Sequence, residues 1–539
     1  MITRLRSNPW VTLLVLCLGL FMILLDTTIV YVATPSMLSA LHASLDEVLW
    51  VFNGYLITYA VLLIPAGRLG DLFGPKRMFM AGLAVFTAAS AVCGLSHDAN
   101  QLIAARVIQG AGGAMLSPQT LPFVTSLFAP ERRGAAFGMF GAVIGLATVA
   151  GPTLGGLIVT YSDWRWIFFL NVPVGVLALV ATAGLVPDLR AGRLHSLDPV
   201  GVLLATAGLF AIVFGLIEGQ RYDWGTIAGS AITIPMVLLA GGALVVLFVV
   251  WEARQREPLV PLRLFRYADY SVSNWINVAL AFGMQAAFIP LTIYTQSVLG
   301  MSALSSGLTF APMSLAAAVV AMPAGRLADR VGSRRLLTAG LILFGGGMLW
   351  VSQLAALNST IGTFLVPMLA AGTGMGFTFA PLTAVAMRAI APADAGAASG
   401  VFNTTRQVGS ALGAAAVGAV LQNRLAAYLP EQAAAASGQL PAPFRAGFVE
   451  GFRNAAKAGF EVGTGQSGGI SLPAGLPASV AAQLHTLVVQ VFDNGYLLAL
   501  RPTVAVGVAV LLAGAASALL LERRWKRAPE VVPAEREAA

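Results

Sequence analysis

Apolar runs of about twenty residues recur from one end of this chain to the other, separated by short clusters of charge, glycine and proline. A helix crosses a bilayer with about 20 residues. Reading the runs between charges and turn residues predicts fourteen helical spans, at 10–34, 46–67, 77–96, 100–125, 135–160, 165–187, 198–217, 226–251, 270–297, 303–326, 335–354, 360–388, 396–422 and 498–521. The fifth, ninth and thirteenth have the softest edges. The pattern predicts an all-α integral membrane protein. Placing the N-terminus in the cytoplasm puts 23 of the 32 lysines and arginines on the inner side. The short outer loops keep only Arg165 and Arg221, while Arg106 and Arg406 fall inside spans. Positive charge favours cytoplasmic loops, so an even span count with both termini inside is expected.

Composition agrees with the pattern. Charged residues make up 10%, apolar residues 57%, and the mean hydropathy is +0.80. An ordinary soluble domain has about 25% charged residues. A soluble enzyme, a disordered scaffold and a nucleic-acid binder are excluded on these grounds, and the net charge of +8 reads as loop bias. Cys17 and Cys93 sit in apolar runs and imply no disulfide framework, and the four histidines have no paired spacing for a metal. A cleaved signal peptide at 10–25 is rejected, because Asp26 stands where a cleavage region should be and many apolar stretches follow.

One segment occurs twice. Residues 65–77 read PAGRLGDLFGPKR and residues 323–335 read PAGRLADRVGSRR, with eight of thirteen positions identical at an offset of 258. Eight predicted spans separate the copies, so both face the cytoplasm. This is a parallel repeat about an axis along the membrane normal. It divides the chain into a six-span half at 1–190, a linker with spans seven and eight at 191–267, and a second six-span half at 268–539. That half includes an outer segment, 426–495, and a cytoplasmic tail. The stretch GQSGGISLPAGLP within the outer segment reads as loop. Phe444, Phe448, Phe452 and Phe460 recur at helical spacing beside Arg445, Arg453 and Lys457. They predict an amphipathic helix, either on the outer leaflet or outer mouth, or packed on its own domain.

Five further motifs, in order along nearly the whole chain, carry a family resemblance. They are Leu25-Asp26-Thr27-Thr28-Ile29-Val30, then Gly67-Arg68-Leu69-Gly70-Asp71 through Gly74 to Arg77, then Arg106-Val107-Ile108-Gln109-Gly110, then Gly151-Pro152-Thr153-Leu154-Gly155-Gly156, and Trp164-Arg165-Trp166-Ile167-Phe168-Phe169-Leu170-Asn171-Val172-Pro173. The chain resembles the major facilitator superfamily, and more narrowly its fourteen-span drug:proton antiporter branch. It departs mildly at Tyr31-Val32-Ala33-Thr34-Pro35, where the branch pattern resembles NVALP, and at Ala147, where glycine is more usual. The resemblance implies two six-helix halves with two central linker helices, and efflux of small compounds driven by protons.

The residues have their own chemistry. Asp26 lies in an otherwise apolar span, and a carboxylate at mid-membrane costs about 2.5–3.5 kcal/mol on insertion scales. Burial favours the neutral acid, so a carboxyl whose exposure alternates can gain and lose a proton. Arg106 holds a fixed positive charge that competes with that proton, with Gln109 one turn away. A static bridge or helix cap is the structural alternative. Gly67, Arg68, Asp71, Gly74 and Arg77, and their repeats Gly325, Arg326, Asp329 and Arg335, are read as a cytoplasmic latch, against a plain positive-inside turn. Gly151 and Pro152 permit close packing and a kink, and the resemblance implies a seal against leak.

Candidate cargo-cavity residues are Tyr31, Tyr55, Tyr59, Gln109, Trp275, Gln285, Phe288, Tyr294, Gln296, Phe377, Phe379, Asn403 and Arg406, each of which has packing as its alternative. Aromatic walls suit flat lipophilic cargo. No acid accompanies Arg406 on its helix, which argues against divalent-cation cargo. Glu218 reads as an interfacial residue. No nucleotide-binding GxxxxGK[ST] loop and no cofactor motif occurs, so the expected drive is the proton gradient. The reading is a monomeric exporter in a bacterial cytoplasmic membrane, with lipid, protons and a lipophilic small molecule as partners. The alternatives are a dedicated exporter of one metabolite, antibiotic or lipid, a membrane enzyme, and a non-transporting sensor. The enzyme lacks clustered catalytic groups at a membrane face, and the sensor has no use for Asp26 or for two latches.

Overall fold

The computed structural model describes residues 8–33, 36–37, 40–41, 45–189, 198–219, 221–227, 229–255, 257–391, 394–457 and 478–521. Helices occupy all fourteen predicted positions. In order they are α1 (Pro9–Val32), α2 (Leu45–Phe73), α3 (Pro75–Leu95), α4 (Ala99–Leu116), α5 (Thr120–Leu127), α6 (Pro130–Tyr161), α7 (Trp166–Phe169), α8 (Asn171–Leu185), α9 (Pro199–Glu218), α10 (Ile234–Glu252), α11 (Ala268–Ile293), α12 (Ala303–Val331), α13 (Ser333–Leu354), α14 (Leu365–Ala386), α15 (Ala395–Ser437), α16 (Ala442–Lys457) and α17 (Ala478–Ala518). Two predicted spans are broken. The fourth divides into α4 and α5 at a tight turn over Ser117–Gln119, and the sixth into α7 and α8 at Leu170. Among the described residues, eleven helical segments are long and apolar enough to cross a membrane. The regions of α4, α6 and α15 are not among these eleven.

The helices form two bundles. In the first, α1 packs on α6 and α8, and α4 packs between α2 and α3. In the second, α11 packs on α15 and α17, and α14 on α12 and α13. The repeat extends beyond the motif into the packing. A β-carbon on Gly82 of α3 would stand 2.8 Å from the Gly112 carbonyl of α4, and one on Gly112 would stand 2.6 Å from the Phe86 nitrogen. In the second bundle Gly340 of α13 meets the Gly374 carbonyl of α14 at the same 2.8 Å, and Gly374 presses on Phe344. Gly82 and Gly340, like Phe86 and Phe344, are separated by the repeat offset. Pro65 and Pro323, inside α2 and α12, are separated by it as well.

Close glycine contacts join the bundles along two of the helix pairs between them. Along α6 and α12, β-carbons on Gly138 and Gly141 would lie 2.6 Å from the Met322 Cα and 2.9 Å from the Ala321 Cβ. Across α2 and α15, one on Gly67 would lie 2.5 Å from the Gly396 carbonyl. The hairpin α9–α10 lies to one side, with α9 against α2 and α10 packed chiefly on α9. Leu239 of α10 is 74% exposed, as expected of a lipid-facing surface. Asp198 ties the hairpin by capping the Gly201 amide at 2.9 Å and accepting the Trp251 indole N–H at 2.9 Å.

Three boundaries differ from the sequence reading. Residues 226–233 close a small turn through a Thr226–Thr233 bridge, and α10 starts only at Ile234. The outer segment is largely helical: α15 runs on to Ser437 through Pro430, and α17 begins at Ala478. At 1.5 Å per residue each of these helices is about 60 Å long, twice the roughly 30 Å bilayer core. Alanine supplies helix propensity where hydropathy gives no signal. The Phe-bearing segment is α16, which packs on the extension of α15, and its Phe448 and Phe452 are buried. It therefore packs on its own domain; Phe460, GQSGGISLPAGLP and the cytoplasmic tail lie outside the described residues.

Overpacking the repeated glycine contacts tests this architecture. Forced volume at a close contact destabilises by about 1–3 kcal/mol. Gly112→Leu and Gly374→Leu are each expected to lower the melting temperature of the purified protein by several degrees. Gly346→Ala, on α13 with nothing within 4 Å of the new carbon, is expected to leave it unchanged or slightly raised.

Candidate functional site

The centre of the first bundle is polar. Asp26 on α1 is fully buried at 0% exposure, and Arg106 on α4 at 1%. The Arg106 Nη1 donates to Asp26 Oδ2 at 2.5 Å and to Gln109 Oε1 at 2.7 Å. The other carboxylate oxygen, Oδ1, accepts from Gln109 Nε2 and from Asn171 Nδ2, both at 2.9 Å. Ser90 of α3 sits behind them, accepting from Asn171 at 3.1 Å and from Gln109 at 3.3 Å. The Arg106 Nε donates to the Val51 carbonyl of α2 at 3.1 Å, and the guanidinium lies 4.1 Å over the Tyr55 ring.

Five helices therefore meet at one ion pair: α1, α2, α3, α4 and α8. Each group is placed by local sequence. Gln109 follows Arg106 by three residues, so both project on one face of α4. Asn171 stands at the break between α7 and α8, where Trp164 and Phe168 are buried below it. Every oxygen of the carboxylate has a donor, which is what a buried charge requires. Of the three donors to the carboxylate, only Arg106 carries a charge, and it is the one whose presence directly opposes a proton at that site.

Sequence reasoning brought Asp26, Arg106 and Gln109 together correctly in space. It missed Asn171 and Ser90 as partners; the only signal was the position of Asn171 in the Trp164–Pro173 motif. Gln109 belongs to this network and does not open onto a cargo cavity. Tyr55 is likewise enclosed as the platform under Arg106, and Tyr59 stacks on it with ring centroids 6.0 Å apart and donates to Ser117 at 3.0 Å. Glu218 is buried, not interfacial: it accepts from Asn53 of α2 at 2.8 Å and from Arg221 at 3.2 Å, tying the linker hairpin to the first bundle.

In the second bundle Tyr294 is also buried. Its hydroxyl donates to the Ala356 carbonyl at 2.7 Å and accepts the Ala356 amide at 3.1 Å, fixing the end of α11 to the loop after α13. Trp275 is exposed at 48%. Gln285, Gln296, Phe288, Phe377 and Phe379 are half-buried, with the Phe288 ring tilted against Phe310 at a centroid distance of 5.2 Å. Asn403 donates to the Ser399 carbonyl at 2.9 Å, and Arg406 donates to Asn403 at 3.3 Å. The side chain of Tyr31 lies outside the described residues.

The repeated motif ends α2 and α12. Gly67, Arg68 and Asp71 are buried. Asp71 accepts the Ala397 amide at 3.1 Å, at the N-terminus of α15, so one carboxylate crosses from the first bundle to the second. A carboxylate there also meets the positive end of a helix dipole. Gly74 and its repeat Gly332 adopt φ of +91 and +94, which only glycine takes without strain. Gly325 is buried, whereas Arg77, Arg326 and Arg335 are exposed. The side chains of Asp329 and Pro152 lie outside the described residues. Gly151 rests directly on Thr28, two residues beyond Asp26.

The chain is similar to known proteins over most of its length. The sequence model of the Major Facilitator Superfamily matches residues 16–414. The tetracenomycin C resistance and export protein of Streptomyces glaucescens is 35% identical over 532 residues, covering 98% of this chain and 95% of its own. Multidrug resistance protein Stp of Mycobacterium tuberculosis is 34% identical over 419 residues, covering 78% and 77%. Among solved structures, the proton:xylose symporter XylE matches with a TM-score of 0.54 at 13% identity, over 76% of this chain and 88% of that one. With the buried Asp26–Arg106 centre, the repeated motif and a family match over most of its length, the chain belongs to the major facilitator superfamily.

Proposed function

We propose that the protein is a proton-coupled exporter of small lipophilic or amphipathic compounds, working by alternating access across a bacterial cytoplasmic membrane with fourteen spans and both termini inside. The observation that carries the proposal is the fully buried Asp26–Arg106 pair. In this scheme a proton reaching Asp26 replaces Arg106 at the carboxylate. The freed guanidinium then rearranges α4 against α1 and α2. The contact between Gly151 and Thr28 gives α1 a route to α6, which packs along α12 of the other bundle. The Asp71–Ala397 bond and the Gly67–Gly396 contact act as the cytoplasmic latch.

The energetics suffice. One charge crossing 100 mV is worth about 2.3 kcal/mol. At roughly 150 mV a proton supplies about 3.5 kcal/mol, or some 300-fold of cargo gradient when the cargo step is electrically silent. Export of a dedicated antibiotic is the second reading, favoured by the near full-length similarity to the tetracenomycin C export protein.

Purified protein in liposomes with an imposed pH gradient tests the proposal. A panel of lipophilic cations, acids and neutral drugs should elicit cargo-dependent proton flux in the wild type and none in Asp26→Asn; flux persisting in the variant would move coupling away from Asp26. Removing one partner of a buried pair costs about 3–5 kcal/mol, so Asp26→Asn is also expected to melt lower. Adding Arg106→Gln should restore much of that stability without restoring proton flux, as read by thermal unfolding beside the flux assay. At the latch, Asp71→Ala should slow transport about tenfold, the equivalent of one charge-assisted hydrogen bond. Asp71→Asn keeps an acceptor oxygen for the Ala397 amide and should retain most of the rate.

A further inference from the structure

The two bundles treat their intramembrane arginines differently. Arg106 is neutralised by Asp26 at 2.5 Å. Arg406 of α15 has no carboxylate partner among the described residues; its one hydrogen bond is to the neutral Asn403 amide oxygen. Arg406 stands ten residues from Gly396, where α15 seals against α2, and so about 15 Å along the helix from that seal. That depth is near mid-membrane, where a fixed charge is costly and almost always marks a function.

The face of α15 that carries Arg406 is set by its glycines. Gly396 and Gly400 meet α2, while Gly409 and Gly413 meet Val278 and Phe282 of α11. At 100° per residue, position 406 falls on the arc between those faces, away from exposed Leu412. Arg406 thus points between the two bundles on the outer side of the seal, and it is half-buried there. Its surroundings on α11 and α15 are neutral: Thr405 donates to Asn274 at 3.0 Å, and Asn277 donates to the Phe402 carbonyl at 2.6 Å. None of these neutralises a cation.

We propose that Arg406 recognises an anionic group, a carboxylate or ionised phenol, on the exported compound. This rests on the exporter reading above and names its cargo class. A guanidinium offers paired donors that match a carboxylate, and the cargo supplies the missing countercharge. An anion leaving as a proton enters moves charge in one direction twice, so the membrane potential drives both steps.

The test is a fluorescence titration of the full-length protein in phosphatidylcholine nanodiscs, using pyrenebutyrate and its uncharged analogue pyrenebutanol. Arg406→Gln is expected to weaken pyrenebutyrate binding about tenfold or more and to change pyrenebutanol binding less than about twofold. Arg406→Lys should fall between wild type and Arg406→Gln for the acid, and unchanged alcohol binding reports an intact fold. Equal loss for both probes, no loss for the acid, or a wild type that binds neither would overturn the assignment. Selective acid binding without any proton flux in liposomes would leave the anion site standing and contradict the exporter reading instead.

Discussion

A carboxylate and a guanidinium buried together at the centre of the first bundle govern how that bundle is built. Neither Asp26 nor Arg106 reaches water, so every oxygen of the acid and the outward-reaching nitrogens of the base need partners. Meeting that demand takes side chains from α3, α4 and α8 and a backbone carbonyl from α2. The glycines of α4 let it approach closely enough: a β-carbon on Gly110 would stand 2.5 Å from the Tyr55 carbonyl. The break at Leu170 has the same logic, because it turns Asn171 inward toward the acid. The helices converge because the charge pair is not tolerated without them.

The pair also stands close to the surfaces that move in the proposed cycle. Thr28 touches Gly151 on α6, and α6 forms the longest seam with the second bundle. Val51, which accepts from Arg106, is on α2, whose C-terminal end carries Asp71 across to α15. In the proposed cycle, a change of charge at Asp26 thus has two short paths to the bundle interface, one through the Thr28–Gly151 contact and one along α2 to Asp71. Among the described residues the second bundle has no corresponding acid beside Arg406, so the two halves share architecture and differ in the charge at their centres.

Much of this was legible in the chain. Charges inside apolar runs named Asp26 and Arg106, helical spacing added Gln109, and the thirteen-residue repeat announced two related bundles. The structure extends that repeat to the Gly82–Gly112 and Gly340–Gly374 contacts, which no short motif reveals. Neutral polar residues were harder: Ser90 and Asn171 look ordinary in sequence because their importance comes from what faces them. Tyr55, Tyr59 and Tyr294 were read as cavity walls, since periodicity shows that a ring points inward and not whether an ion pair, a hydroxyl or a loop carbonyl occupies the space. The extension of α15 to Ser437 escaped notice because its alanines favour helix without marking an apolar run.

The central claim is that Asp26 takes up a proton in exchange for Arg106. Infrared difference spectroscopy of the lipid-embedded protein, stepped from alkaline to acidic pH, reads this directly. The account predicts a protonated-carboxyl stretching band that grows on acidification, is missing in Asp26→Asn, and appears together with a change in the arginine guanidinium bands. An Asp26-independent spectrum across the whole range would mean a permanently ionised, static bridge, and would contradict it.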